Sequence, residues 1–351
     1  MVDILLCRLP PRPDRSATRL IISEVSGSGK VIGLLVTYER PQEVRSTLAA
    51  LASQTRRLDR LLVVDNGSTE DTRVVIENAE IGIPIDYVSS SENLGSAGGV
   101  RFGMEVLLPQ VSDDDWIVLL DDDDPPKFRD AFETLEAFAY AQVESDPRTA
   151  AVGIHGSRFD WKRGRLDRVQ DGDLRGAVKV DYVGMNGLPF HRVAALRGGG
   201  VFSSDIFFGL SEVEHGLRLR RAGWSFYAHG ELWRAAREGA GRIGHVGGPT
   251  LGVRPADWRR YYTLRNLLYI LLTAGRRLTA VRVTLVVLIG KPLLNMLVSP
   301  RVAGGQLLVG LAAARDGWTG RMGRTREPYP WGRRPLKATH AAITNRPSDD
   351  D

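Results

Sequence analysis

The chain has 351 residues, 43% apolar and 25% charged, a balance that excludes a disordered polymer or a fibrous repeat. Its length suits one large domain, or a catalytic domain with an appendage; its single cysteine, Cys7, excludes an internal disulfide and fits a reducing compartment. The net charge of +5 is unevenly spread: Arg259 to Lys337 is rich in Arg and Lys and nearly free of acids, which suits an anionic membrane, nucleic acid or polyphosphate.

Residues 1–30 carry Pro, Arg and Ser with weak patterning and read as an N-terminal extension, a small β appendage. Their apolar start lacks a basic leader and a clear cleavage site, so no signal peptide is expected. From residue 31 strands and helices alternate. VIGLLVTY (Val31–Tyr38) predicts a buried strand. Pro41 opens a helix through Gln54, with Val44, Leu48 and Leu51 on one face. LLVVDNGS (Leu61–Ser68) predicts a second strand ending in a turn, and IPIDYV (Ile83–Val88) a third. GGVRFGMEVLL (Gly98–Leu108) predicts a helix behind it, and WIVLLD (Trp116–Asp121) a fourth strand. A helix follows from about Pro126, with Phe128, Phe132, Leu135 and Phe138 in register. The pattern is α/β and doubly wound with a mostly parallel sheet, and such sheets bind ligands beyond the carboxyl ends of their strands. TYER, DNGST and DDDD all fall at such ends.

After residue 150 the pattern loosens. Glu212 to about Ala222 predicts a helix closed by Gly223, and Ser211-x-x-Glu214 reads as a capping box at its start. With Ser211 and Glu214 so engaged, Glu212 is left in the first turn, either free to face a cleft with its ionised form favoured by the helix N-terminus, or, with Glu214, only complementing the helix dipole. From Trp258 the chain is helical, basic and apolar. Leu278–Pro300 has nearly the length of a membrane span, but Arg282 and Lys291 interrupt it and Pro292 breaks it. Helices lying on a membrane surface are the expectation, against a helical cap packed on the catalytic domain.

VLLDDDDPP (Val118–Pro126) piles four like charges at a strand end. The run reads either as a site for a hard cation, which carboxylate oxygens suit, or as a solvated acidic cluster. Asp65-Asn66-Gly67-Ser68 offers a carboxylate to a nucleobase or ribose, or is a plain turn. ENLGSAGGVRFG (Glu92–Gly103) places glycines before a helix, open to a diphosphate or to close helix–sheet packing.

In combination, V-T-Y-x-R, V-V-D-N-G-S-T, N-L-G-S-A-G-G and L-D-D-D-x-x-P occur in the order that resembles the family 2 glycosyltransferases of GT-A fold, most of all the bacterial galactofuranosyl- and rhamnosyltransferase-like members. The resemblance implies a GT-A nucleotide-sugar domain over residues 31–255, with a donor half at 31–150 and an acceptor half at 151–255. A basic amphipathic helical region at 256–335, membrane-associated, and a disordered tail at 336–351 would follow. It implies that Thr37, Glu39, Arg40, Asp65, Asn66, Asn93, Gly98, Gly99, Arg101 and Asp122 serve the nucleotide sugar, with Asp65 reading the base. Asp121 and Asp123 would hold Mg²⁺ or Mn²⁺, in preference to the frame Asp122/Asp124, with His245 as a further ligand and His229 its rival. Asn186, Gly187 and Glu214 would face the acceptor, and Glu212 would be the catalytic base. Arg265 would meet donor phosphates or snorkel at lipid.

The implied activity is inverting, metal-dependent transfer from a UDP- or dTDP-sugar to a lipid-linked or polysaccharide acceptor, in cell-envelope glycan synthesis. The implied place is cytoplasmic, peripheral at the inner membrane face, with no nucleic acid bound and the oligomeric state open. One departure stands out: Ser211 occupies a position where an acid is usual. It supports the alternative of a catalytically impaired protein that binds sugar or membrane. A sugar nucleotidyltransferase ranks third, because TYERPQEV is not a Gly-rich loop.

Overall fold

The computed structural model describes residues 5–8, 29–68, 72–244, 258–296 and 300–326. Its first part runs β1 (Leu5–Arg8), β2 (Val31–Thr37), α1 (Pro41–Ala52), β3 (Arg60–Asp65), α2 (Thr72–Glu77), β4 (Ile85–Ser89), α3 (Gly95–Leu107), β5 (Trp116–Asp121) and α4 (Ala131–Ser145). The second part adds β6 (Thr149–Gly153), β7 (Gly156–Asp160), β8 (Arg165–Asp167), β9 (Ala177–Val180), β10 (Tyr182–Val183), β11 (Phe190–Arg192), α5 (Val193–Gly199), α6 (Ser211–Arg221), β12 (Ser225–His229) and α7 (Gly230–Gly239). Then come α8 (Trp258–Thr273), α9 (Arg277–Leu285), α10 (Lys291–Met296) and α11 (Pro300–Thr319), with a π-helical turn, Val286–Gly290, between α9 and α10.

One nine-stranded sheet has the order β1-β4-β3-β2-β5-β11-β6-β12-β9, and β10-β7-β8 form a smaller one. The run β4-β3-β2-β5 is parallel, as the uninterrupted apolar strands predict. Beyond it the sheet is mixed. β11 lies antiparallel between β5 and β6, so the two halves expected on either side of residue 150 share one sheet.

Alternate residues of the central strands feed two cores. Val31, Leu35, Val63 and Leu120 meet α1 and α4 through Val44, Leu48 and Phe132. Ile32, Leu34, Val64 and Leu119 meet α3 through Val100, Met104 and Leu107. The approach of α3 is close: a Cβ on Gly99 would lie 2.6 Å from Val36 Cγ1, and one on Gly103 2.3 Å from Leu34 Cδ1. Gly103→Ala is therefore expected to destabilise despite the better helix propensity of Ala, since overpacking costs roughly 1–3 kcal/mol against a gain of about 1 kcal/mol. Urea unfolding of the variant checks this.

In the first part of the chain, two helices start several residues from where the sequence predicts. α4 begins at Ala131 rather than near Pro126, because the carbonyls of Phe128 and Arg129 are drawn out of helical register by Gln54 Nε2 and the Thr55 amide, each at 3.0 Å. α3 begins at Gly95, three residues early, where φ of +77° turns the chain into the helix. The C-terminal helices pack as a layer on Phe207, Val213 and Leu217, with Tyr261, Tyr262 and Leu268 at its centre. No helix of the described residues is long and apolar enough to cross a membrane. The tail at 336–351 and most of the N-terminal extension lie outside the described residues.

Candidate active site

The register of the parallel strands sets Thr37 beside Asp65 and Val36 beside Asp121, so the carboxyl ends of β2, β3 and β5 form one rim. Against it opens a cavity of about 570 Å³, within the range of small-molecule sites. Thr37, Glu39, Arg40, Asn66, Asn93 and the run Asp121–Asp123 line it from the strand rim and the loops that follow, and Ser211 and Glu212 line it from α6.

The acidic run is held in a definite arrangement. Asp122 turns inward, 5% exposed, accepting hydrogen bonds from Thr37 Oγ1 and Arg40 Nη1 at 2.9 Å each, while Thr47 Oγ1 donates to its carbonyl. Arg40 also pairs with Asp123. Burial, then the neighbouring Asp123 and Asp122 carboxylates, push Asp121 up to about 6. Burial also raises Asp122, against the pull of Arg40. Carboxylate oxygens of Asp121, Asp122 and Asp123 lie within 4.8 Å of one another. This donor set fits a hard divalent cation. Asp122 has both oxygens engaged, by Thr37 and Arg40, and Asp123 has one, by Arg40, so Asp121 and Asp123 keep oxygens that could hold such an ion. Asp124 is paired with Lys127 at 3.2 Å and stands outside both the cavity wall and the group of three neighbouring carboxylates.

Opposite, α6 brings Glu212 to the cavity by a route the sequence misses. Ser211 is the first helical residue rather than the cap, which is Leu210 in left-handed conformation, φ +61°. The capping box does not form. Ser211 Oγ donates instead to Glu212 Oε2 at 3.0 Å, and Glu214 pairs with Arg218 at 2.9 Å, buried and off the cavity wall. Glu39, on the facing side, is another non-glycine residue at positive φ, +56°, its amide donating to Ser68 Oγ. Backbone strain of this kind clusters at functional sites.

Several expected contributors sit elsewhere. Asp65 is buried behind the rim, one oxygen accepting the Ser68 amide and the other the Tyr87 hydroxyl, and its neighbour Asn66 lines the cavity in its place. The start of α3 is not open to an anion, because protein acceptors take its amides: Leu94 N donates to Asn66 Oδ1, Gly95 N to Asn93 Oδ1 and Ser96 N to the Phe207 carbonyl. Gly99 serves close packing on Val36, and Gly98 and Arg101 border a second, smaller hollow of about 330 Å³, with Arg101 paired to Glu105 at 2.8 Å. Asn186 and Gly187 form a short 3-10 turn pinned by the Ile154 amide on the Gly187 carbonyl; Met185 reaches the cavity instead. Arg265 lines neither the cavity nor the surface: it is fully buried, bonded to Asn266, Thr325 and the Gly323 carbonyl over the Tyr262 ring. His229 caps α7 through its side chain, off the cavity wall, and His245 lies outside the described residues.

The sequence reading also missed an aromatic wall. Phe207, Phe208 and Trp258 line the cavity, with Phe208 edge-on to Trp258 at 4.6 Å and Arg259 over the Trp258 ring at 5.2 Å. The paired Phe207 and Phe208 before Gly209, and Trp258 at the start of the basic helical region, were its only signals.

Residues 34–162 match the family model described as Glycosyl transferase family 2. Among curated proteins, the chain is similar to galactofuranosyltransferase GlfT1 of Mycobacterium tuberculosis, 33% identical over 204 residues, or 56% of this chain and 66% of that protein. It thus spans slightly less than two thirds of that relative. GlfT1 of Mycolicibacterium smegmatis is 27% identical over 263 residues, 70% of this chain and 84% of that one. Among solved structures, mannosyltransferase PcManGT from Pyrobaculum calidifontis, in complex with GDP-Man and Mn²⁺, aligns at 16% identity with a TM-score of 0.49, covering 84% of this chain and 80% of that one.

Proposed function

From a chain that carries a family 2 glycosyl transferase domain, we propose an inverting, metal-dependent glycosyltransferase. It moves a sugar from a UDP- or dTDP-sugar to a lipid-linked or polysaccharide acceptor in the cytoplasm, for cell-envelope glycan. The observation that carries this reading is the convergence of the Asp121–Asp123 run and Glu212 on one cavity. The names of the GlfT1 relatives favour galactofuranose as the sugar, with rhamnose the second candidate.

Thr37, Thr47 and Arg40 hold the acidic run in place, so that Asp121 and Asp123 are set to hold Mg²⁺ or Mn²⁺. Bound there, the ion would neutralise the donor diphosphate and stabilise it as a leaving group. Ser211 donates to one oxygen of Glu212 and so orients the carboxylate. Glu212 takes the proton from the acceptor hydroxyl as that oxygen attacks the anomeric carbon, and a single displacement inverts the configuration. Phe207, Phe208 and Trp258 keep that side of the cavity apolar, which limits competing attack by water. Ser211, where an acid is usual, is thus engaged with the base rather than replacing it.

Calorimetric titration of the protein with UDP, dTDP and GDP, with and without Mn²⁺, tests the reading. One pyrimidine diphosphate is expected to bind in a Mn²⁺-dependent way, and Asp123→Ala to lose roughly tenfold or more in affinity, since a charge-assisted contact is worth about 1.5–3 kcal/mol. Folded protein that binds no nucleotide would overturn the transferase and leave the non-catalytic sugar- or membrane-binding partner as the better account.

A further inference from the structure

Outside the C-terminal helices, Val74, Leu166 and Ile243 are the exposed large apolar side chains among the described residues. Within those helices they form rows. Leu278, Val281, Leu285, Ile289, Leu293 and Met296 follow at intervals of three, four, four, four and three, one face of a helix, and Leu278 is 89% exposed. The opposite face, with Ala280, Val283, Val287 and Leu288, packs into the layer formed with α8. α11 repeats the arrangement, with Val309 and Ala313 inward and Leu308, Leu311 and Trp318 outward. Trp318 Nε1–H donates to Thr284 Oγ1 at 3.0 Å, which sets the two helices side by side. Helices apolar on both faces belong in a buried setting, and here only the inner face has a partner within the described residues.

The charges around these rows say what the outer partner is. Arg276 and Arg277 stand exposed at the start of α9, and exposed Arg282 donates to the Lys162 carbonyl at 3.3 Å. That contact draws in a turn carrying exposed Lys162 and Arg163. In residues 258–326 the only acid is Asp316, which is buried and bonded to Tyr261 and Arg315. A second copy on this face would set cation against cation. An anionic lipid surface satisfies both parts, accepting apolar side chains at the acyl boundary and Arg or Lys at its phosphates.

We infer that the outer face of α9, α10 and α11 seats the protein on an anionic lipid leaflet, without spanning it. α8 has Trp258 in the cavity wall at one end and leads into α9 at the other, about 24 Å away for sixteen helical residues. The seat does not depend on the donor chemistry, so it is tested without nucleotide.

The full chain is floated with vesicles of phosphatidylcholine alone and of phosphatidylcholine with phosphatidylglycerol, at low and high salt. Partition onto the phosphatidylglycerol vesicles, weakened by salt, is expected. Ile289→Glu and Leu293→Glu, both at exposed positions, should each reduce it by roughly tenfold with the thermal melt unchanged. The Arg276→Glu/Arg277→Glu double variant should lower the salt dependence as well. Three results would overturn the inference: no partition by the parent chain, partition unchanged in both Glu variants, or a sedimenting dimer that the same variants abolish, which would make the face a contact between copies.

Discussion

Replacing Glu212 by Gln is expected to lower turnover by about 10²- to 10⁴-fold, the range of a general base, while leaving Mn²⁺-dependent nucleotide binding unchanged. The amide keeps the size and the contact with Ser211 Oγ but cannot take a proton from the acceptor hydroxyl. Binding is expected to survive because the substitution leaves untouched Asp121 and Asp123, which would hold the cation and, through it, the diphosphate. Ser211→Ala removes only the orienting hydrogen bond and should cost far less than Glu212→Gln. The measurement is nucleotide release from the sugar donor, beside calorimetric binding of the same nucleotide. Near-parental turnover in Glu212→Gln would place the base elsewhere.

Acid should destabilise the fold at a pH where most proteins are indifferent. His191 and His215 are buried ring to ring, 5.3 Å apart, and Phe202 stacks on His215 at 4.2 Å. Burial pushes His191 down to about 3. Burial, then His191 and Arg218, holds His215 well below its ordinary value. His155 and His229 shift the same way, again through burial. A depressed imidazole is neutral in the fold and protonates in the unfolded chain. The unfolded state therefore binds more protons as pH falls below about 6.5, and stability is lost from there downward. Each fully shifted histidine contributes about 1.4 kcal/mol per pH unit. Asp121 below about 6, and Asp122, also raised by burial, run the other way, since a raised carboxyl is protonated first in the fold; Asp121 offsets about one histidine. The net expectation is a loss of about 1–3 kcal/mol per pH unit below 6.5. Urea midpoints at about pH 7.5, 6.5 and 5.5 measure it, and His191→Leu should reduce the slope by about 1.4 kcal/mol per unit. A flat profile would mean these rings can take up protons in the folded protein.

Much of the donor half is written in the sequence because buried parallel strands announce themselves. A strand covered on both faces is a continuous run of Val, Leu and Ile, and β2, β3 and β5 were placed to within a residue or so at their starts. The rim could be read for the same reason, since polar residues that end such a run must lie at the strand's carboxyl end. The short strands after residue 150 carry no such mark. β11 has three residues and owes its place to β5 and β6 on either side, which no local pattern encodes.

Residue types and the strand ends they follow brought Thr37, Arg40 and the Asp121–Asp124 run into view, which are matters of local chemistry and period, while the frame Asp121/Asp123 and Glu212 as base came from the order of motifs that resembles the family. Direction is what only the tertiary structure decided. Asp65 turns to Tyr87, so Asn66 faces the cavity. Arg265, indistinguishable in sequence from a phosphate ligand, is drawn into the core by Asn266 and the segment at Gly323–Thr325. Ser211-x-x-Glu214 spells a capping box, yet Leu210 takes the cap and Arg218 takes Glu214. Each side chain had more than one partner within reach, and the choice was made by packing between elements far apart in the chain, where burial leaves an unpaired polar group costly and so admits one arrangement.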